Sequence, residues 1–303
     1  MPALLDRLQP LLATMGLTDL VLNGHQSAHI RVANEWLACA APFDSAQQLR
    51  DLLVDEFEFA GLGLNYKNPM ASVVLQGFRI HAVLGFGVSP TIQVSIRRLG
   101  LADGQVAEPF AVGSPSYLKF EALAKAMIQG RSVLIAGGAG SGKTTVLRAL
   151  LSRMSGLRVV TLEDTPELAL AGENFVSLLT RSANQDGVGE VSLDRLLREA
   201  LRMSPDRIAV GEVRGDELGV MLEALNTGHA GAGATIHANN LNDLASRLEA
   251  LGMRSGIAPN TLARQVVSAF SFAALATRAQ GFSIAQIAKP MLGPNGLEFS
   301  VVA

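Results

Sequence analysis

The sequence predicts an α/β protein: a C-terminal P-loop domain on a mainly parallel sheet, preceded by a smaller α+β domain. Three observations carry this. After residue 117 strand-like and helix-like segments alternate, the pattern of a parallel sheet covered by helices on both faces. Before residue 100 strand-like runs cluster without that alternation. Between them, residues 131–145 read Arg-Ser-Val-Leu-Ile-Ala-Gly-Gly-Ala-Gly-Ser-Gly-Lys-Thr-Thr. There an apolar strand, a glycine loop of the form G-x-x-x-x-G-K-[ST] and a helical pattern follow in the order a phosphate-binding loop requires. With 303 residues the length suits about two domains. The boundaries are read as 1–100, a linker at 101–116, and 117–303.

Taking the chain in order, Leu4, Leu5, Leu8, Leu11 and Leu12 give an amphipathic helix over 3–15. Asp19-Leu-Val-Leu-Asn-Gly24 reads as a strand ending in a turn signal, and Ala28–Val32 as a second strand. A helix over 44–57 starts at a cap, Asp44 or Ser45, and aligns Leu49, Leu52, Leu53 and Phe57. Strands follow at 71–76, 79–84 and 91–97. Ala-Asp-Gly, Glu-Pro and Gly-Ser-Pro-Ser mark 101–116 as a loop. Beyond it come helix 117–129, the glycine-loop strand and helix, strand 158–162, strand 175–180, helix 192–204, strand 207–211, helix 215–226, strand 232–236 and helix 241–253. Residues 280–303 read as irregular strands with a Gly-Pro-Asn-Gly turn.

Composition narrows the functional classes. Apolar residues make up 49% and charged residues 17%, with a net charge of −2. No basic cluster stands out, which argues against nucleic acid as a direct partner. The single cysteine, Cys39, excludes disulfide frameworks and four-cysteine zinc sites within the chain. Asp6 and Arg7 interrupt the leucines of the first segment, so no signal peptide is expected. The longest uncharged windows, 80–96 and 265–277, fall short of the ~20 apolar residues a spanning helix needs. The expectation is a cytoplasmic protein with at most peripheral membrane association.

The glycine loop explains its own residue types. Backbone N–H groups must approach phosphates closely, which Gly137, Gly138, Gly140 and Gly142 permit with only Ala139 and Ser141 between them. Lys143 can reach the β- and γ-phosphates, Thr144 can ligate Mg²⁺, and Thr145 opens the helix whose positive end faces the anion. A nucleotide and Mg²⁺ are therefore the expected ligands. The strand ending in Glu163-Asp164-Thr-Pro-Glu167 brings carboxylates to the same sheet edge, where one could orient or deprotonate the attacking water. The same residues also read as a helix start: Asp164 or Thr165 caps and Pro166 takes the first helical position. Arg207-Ile-Ala-Val-Gly211-Glu212-Val-Arg214 has the form of a Walker B strand, with Glu212 near Mg²⁺ and Gly211 where many P-loop ATPases carry Asp. Thr227-Gly-His229 through Thr235-Ile-His237-Ala-Asn239 offers two histidines but no zinc ligand set. His237 ends a strand on the nucleotide edge and could sense a γ-phosphate.

In order, these boxes resemble the Walker A, aspartate, Walker B and histidine boxes of the type II/type IV secretion ATPase superfamily. Leu201-Arg-Met-Ser-Pro-Asp206-Arg207 fits the same pattern. Arg181, Asn184, Gly189-Glu190 and Ser246-Arg-Leu-Glu249 resemble its tight-adherence (Flp pilus) branch, which is similar to conjugal-transfer ATPases. The resemblance implies a RecA-like C-terminal domain and a homo-hexamer whose N-terminal domain closes over nucleotide. It implies an ATPase that works with an inner-membrane platform protein of a pilus or secretion machine, on the cytoplasmic face. It also implies two N-domain arginines reaching the phosphates; Arg97 and Arg79 hold the matching positions. Glu163 or Asp164, with Glu212, would activate water. Three departures stand out: Gln76-Gly77-Phe78 replaces the usual Asp-Gly before Arg79, Ser204 replaces a basic residue, and Ala232-Gly-Ala lacks the frequent Ser or Thr. The rivals are a conjugal DNA-transfer ATPase and a non-hydrolysing, nucleotide-dependent assembly scaffold.

Overall fold

A computed structural model of the chain describes residues 4–33, 35–99, 109–183, 188–229, 231–278, 281–294 and 296–303. Two compact units result, Met1–Gly100 with Ser182–Glu190, and Leu101–Arg181 with Val191–Ala303. Residues 101–108 of the predicted linker lie outside the described residues.

The first unit is α+β. Helix α1 (Leu4–Leu12) buries Leu4, Leu5, Leu8 and Leu12, each contributing about 1.5–3 kcal/mol over an exposed position. Strands β1 (Leu17–Asn23), β2 (Ser27–Val32) and β3 (Glu35–Ala40) precede helix α2 (Ala46–Phe59). Ser45 caps α2 by accepting from the Gln48 N–H, and Leu49, Leu53 and Phe57 face inward. Strands β4 (Met70–Leu75), β5 (Phe78–Val83) and β6 (Gln93–Arg98) complete an antiparallel sheet of order β3-β2-β1-β6-β5-β4. Its inner rows, such as Leu20, Ile96 and Ile80, join the helices in one core. Strand β3 is absent from the sequence reading. It is an edge strand with almost every residue exposed, so it carries no burial alternation to read.

The second unit is α/β, as the sequence predicts. It runs α3 (Pro115–Ile128), β7 (Val133–Gly137), α4 (Lys143–Ser152), β8 (Val159–Glu163), β9 (Phe175–Leu179), α5 (Leu193–Ala200), β10 (Arg207–Val213) and α6 (Glu217–Asn226). Then follow β11 (Gly233–His237), α7 (Leu241–Arg254), α8 (Pro259–Ala269), β12 (Phe272–Thr277), β13 (Ser283–Gly293) and β14 (Gly296–Val301). The sheet order is β14-β13-β12-β7-β11-β10-β8-β9. The six strands from β12 to β9 are parallel, and β13 and β14 extend the sheet as an antiparallel hairpin. Strands β7 and β8 are buried at every residue, which is why β7 reads as an unbroken apolar run and β8 as one interrupted only by Thr161 before its terminal Glu163. Leu134 and Ala136 face a core shared with α5 to α8, while Val133 and Ile135 face one shared with α3 and α4.

Four details differ from the sequence reading. Helix α3 starts at Pro115, because Ser114 accepts from the Tyr117 N–H within the predicted loop. Helix α5 stops at Ala200 rather than 204: Ser204 has φ +52°, and the residue before a proline avoids helical backbone. Helix α8 and strand β12 are additional. The C-terminal strands form a regular hairpin, with Leu292 opposite Leu297 and Gly293 opposite Gly296.

Candidate functional site

Because β12, β7, β11, β10 and β8 are mutually parallel, their carboxyl ends share one edge, where open α/β sheets place ligands. The glycine loop leaves that edge between Gly137 and α4. Two of its glycines are there for close approach. A Cβ on Gly137 would lie 2.6 Å from the Ala276 carbonyl oxygen. Gly142, the N-cap of α4, has φ +90°, and a Cβ there would lie 2.5 Å from the Phe282 ring. The Ser141 hydroxyl is buried within the loop without a hydrogen-bond partner. Such a polar group is satisfied when a ligand oxygen reaches it.

Lys143 Nζ donates to the Gly137 and Gly138 carbonyls at 2.9 Å each. Burial holds its pKa below the ordinary lysine value, with Glu212 pulling the other way. A half-buried cation resting on its own loop's carbonyls is poised to exchange them for phosphate oxygens. Thr144 Oγ1 donates to Glu167 Oε2 at 3.2 Å. Thr145 lies half-buried in the first turn of α4.

The Glu163 side chain is buried at the end of β8. Its Oε1 accepts from the backbone N–H groups of Glu167 (3.0 Å) and Leu168 (2.9 Å), while Oε2 has no hydrogen-bond partner. Desolvation pushes its pKa up to about 7; the two N–H donors and Arg148 oppose that rise, and Glu167 adds to it. The expected helix start at Pro166 is not formed: no helix lies among residues 164–174. The amides that a cap would have satisfied are taken instead by the Glu163 carboxylate.

Gly211 is explained by the same residue. A Cβ at 211 would lie 2.9 Å from Glu163 Cγ, so the neighbouring strand's glutamate fills the space a Walker B aspartate would need. Glu212 lies inside β10, which continues to Val213 rather than stopping at 211. Arg214 bridges the two acidic boxes: its guanidinium donates to Glu212 Oε2 at 2.5 Å and to Asp164 Oδ2 at 3.4 Å. The Glu212 hydrogen bond raises the Arg214 pKa above its ordinary value. Asp164 also accepts from Thr180 Oγ1 at 3.0 Å.

His237 is exposed at the end of β11, in register with Gly137. Asn239 approaches the loop as well, its Oδ1 3.1 Å from where a Cβ on Gly138 would stand. His229 precedes β11 and so belongs to the opposite sheet edge, away from the loop. Arg79 and Arg97 are cross-strand neighbours on β5 and β6, and Arg97 Nε donates to Asp19 Oδ1 at 2.7 Å. Glu163, Asp164, Glu212 and His237 therefore share a sheet edge with residues 137–145, while Arg79 and Arg97 belong to the first unit. The sequence offers Glu167 only as one of the carboxylates following β8 and gives Arg214 and Phe282 no site role. Arg214 sits two residues beyond Glu212, whereas Phe282 meets the loop from far along the chain. Among the described residues no group of three or more His, Cys, Asp and Glu forms a metal cluster, and no helix is long and apolar enough to cross a membrane.

The family described as "Type II/IV secretion system protein" matches residues 77–278. A putative conjugal transfer protein of Mycobacterium tuberculosis (strain H37Rv) is 36% identical over 270 residues, covering 86% of this chain and 77% of that one. Protein VirB11 of Agrobacterium fabrum is 43% identical over 122 residues, 40% of this chain and 35% of that one. In fold, the chain is similar to the Legionella pneumophila ATPase DotB, with TM-score 0.61 at 18% identity over 98% of this chain and 78% of that one. It is also similar to the pilus retraction motor PilT solved with ADP, with TM-score 0.62 at 17% identity over 99% and 82%. The fold likeness agrees with a RecA-like domain preceded by a smaller N-terminal one.

Proposed function

The chain belongs to the type II/IV secretion system protein family, and from that premise we propose that it hydrolyses ATP with Mg²⁺ to drive a pilus-assembly or secretion machine. The observation that carries the reading is one sheet edge holding both a glycine cradle with Lys143 and a buried carboxylate poised near neutrality. The loop amides and Lys143 bind the phosphates. Thr144 and Glu212 are the residues to hold Mg²⁺, which when bound offsets charge on the β- and γ-oxygens. Glu163 accepts the proton of the attacking water through Oε2, and its Oε1 stays fixed by the amides of Glu167 and Leu168. Arg214 and Asp164 hold Glu212 in place, His237 senses the γ-phosphate, and Arg97 and Arg79 supply further positive charge. The working form is a homo-hexamer beneath an inner-membrane platform protein, of the tight-adherence pilus type, with no direct nucleic-acid contact.

Purified Lys143→Ala and Glu212→Gln test this. Both variants lose ATP turnover at saturating Mg²⁺ while the fold persists by circular dichroism. Wild-type turnover in either variant overturns the residue roles, and a wild type without turnover leaves a nucleotide-dependent scaffold. A second reading, conjugal DNA transfer, draws on the 36% identical mycobacterial relative, a putative conjugal transfer protein. Neighbouring genes decide between them: a prepilin and its peptidase, or a relaxase and a coupling protein.

A further inference from the structure

A triphosphate in the loop has two ends, and the sheet order separates what each can meet. Every acidic group of the site comes from β8, β10 or the segments after them, and His237 ends β11. In the order β12-β7-β11-β10-β8, all of these lie on one flank of β7. The γ-phosphate and the attacking water belong on that flank. The nucleoside, at the far end of the triphosphate, then leaves the loop over the opposite flank, formed by β12.

That flank is built tightly against the loop. The carboxyl end of β12 touches Gly137 through the Ala276 carbonyl. Beyond β12, the Phe282 ring stands against the Gly142 backbone, and Thr277 Oγ1 and Ser283 Oγ lie 2.7 Å apart. Phe282 remains 37% exposed, and the Arg278 guanidinium lies over its ring, 4.7 Å from the centroid. A partly exposed aromatic ring with a guanidinium group over it, set against the phosphate loop at a left-handed glycine, stands on the flank where a base emerges. Aromatic rings and arginine planes both stack on nucleobases.

We infer that Arg278 and Phe282 form the nucleobase platform of the site and give it a preference for purine nucleoside triphosphates. The inference rests on the phosphate-loop reading above and adds the base end. The platform reads ring area, so adenine and guanine bind more tightly than cytosine and uracil.

Calorimetric titration of the full chain with Mg²⁺–ATP, Mg²⁺–CTP and Mg²⁺–tripolyphosphate tests it. Phe282→Ala weakens ATP about tenfold or more, the range of one lost stacking contact. The same variant leaves tripolyphosphate affinity unchanged and narrows the ratio of ATP to CTP affinity. Phe282→Trp keeps wild-type ATP affinity, and Arg278→Ala shows a smaller loss of the same kind. Equal weakening of ATP and tripolyphosphate in Phe282→Ala overturns the inference, since the ring would then only brace the loop. So does unchanged ATP affinity. A wild type that binds neither ATP nor tripolyphosphate removes the phosphate-loop reading itself, which separates that failure from failure of the platform.

Discussion

Replacing Glu163 by Gln removes a buried carboxyl whose native pKa lies at about 7 against an ordinary value of 4.5. Below 4.5 the native and unfolded chains both hold the proton. Between 4.5 and 7 only the native chain holds it, so raising the pH drains stability; above 7 the loss is complete. At ~1.36 kcal/mol per pH unit, the difference between the two values amounts to about 3 kcal/mol. Glu163→Gln keeps an acceptor for the amides of Glu167 and Leu168 and carries no titrating group. The expected result is near-equal stability of variant and wild type at about pH 4, and a variant more stable by about 3 kcal/mol at about pH 8. The assay is urea unfolding of the ligand-free protein at a series of pH values. Circular dichroism is the suitable probe, because the single tryptophan, Trp36, reports only the first unit. Parallel stability profiles for the two proteins would falsify the argument, because Glu163 would then be as well solvated folded as unfolded. In turnover, wild-type activity rises as the pH passes through about 7 and Glu163 gains its basic form, and the Gln variant shows no such limb.

Gly211→Ala forces a Cβ to 2.9 Å from Glu163 Cγ. The expected cost is about 1–3 kcal/mol in thermal unfolding, the range of core overpacking, together with a fall in turnover larger than the stability loss explains. Gly137→Ala meets a backbone carbonyl that cannot swing aside, so nucleotide affinity drops in calorimetry; unchanged affinity would mean the loop does not carry the phosphates. Arg97→Ala breaks an ion pair whose arginine is exposed and whose Asp19 is half-buried and shifts stability by about 1 kcal/mol or less. A large fall in ATP turnover beside that small change separates a role in the reaction from a role in the sheet.

The phosphate loop was legible because its chemistry is local: spacing alone places glycines, Lys143 and Thr144 on a strand-to-helix turn. Strand β7 was legible because burial on both faces leaves nothing polar in it, and β8 because only Thr161 interrupts its apolar run before Glu163. The segment after Glu163 was half legible. Thr165-Pro166-Glu167 announced backbone amides needing an acceptor, and the sequence could not say that Glu163 supplies it and removes the need for a helix. Gly211 looked like a missing aspartate until the adjacent strand showed what fills its place. Strand β3 and Phe282 escaped for a different reason. An exposed edge strand has no inner face to pattern, and a ring that meets a glycine about 140 residues away has no signature in any window.

Asp19, Arg97 and Arg79 occupy one row across β1, β6 and β5, between core-facing neighbours such as Leu20, Ile96 and Ile80. Like charges directly opposite one another repel, and the row runs on to Arg31, opposite Asp19 on β2, so one carboxylate sits among three guanidinium groups and the row carries surplus positive charge. Hydrogen-bonded strands cannot slip by one residue without turning that row inward. The ladder thus fixes where the Arg79 and Arg97 side chains leave the sheet, side by side on neighbouring strands, and reorientation of the unit carries the two together.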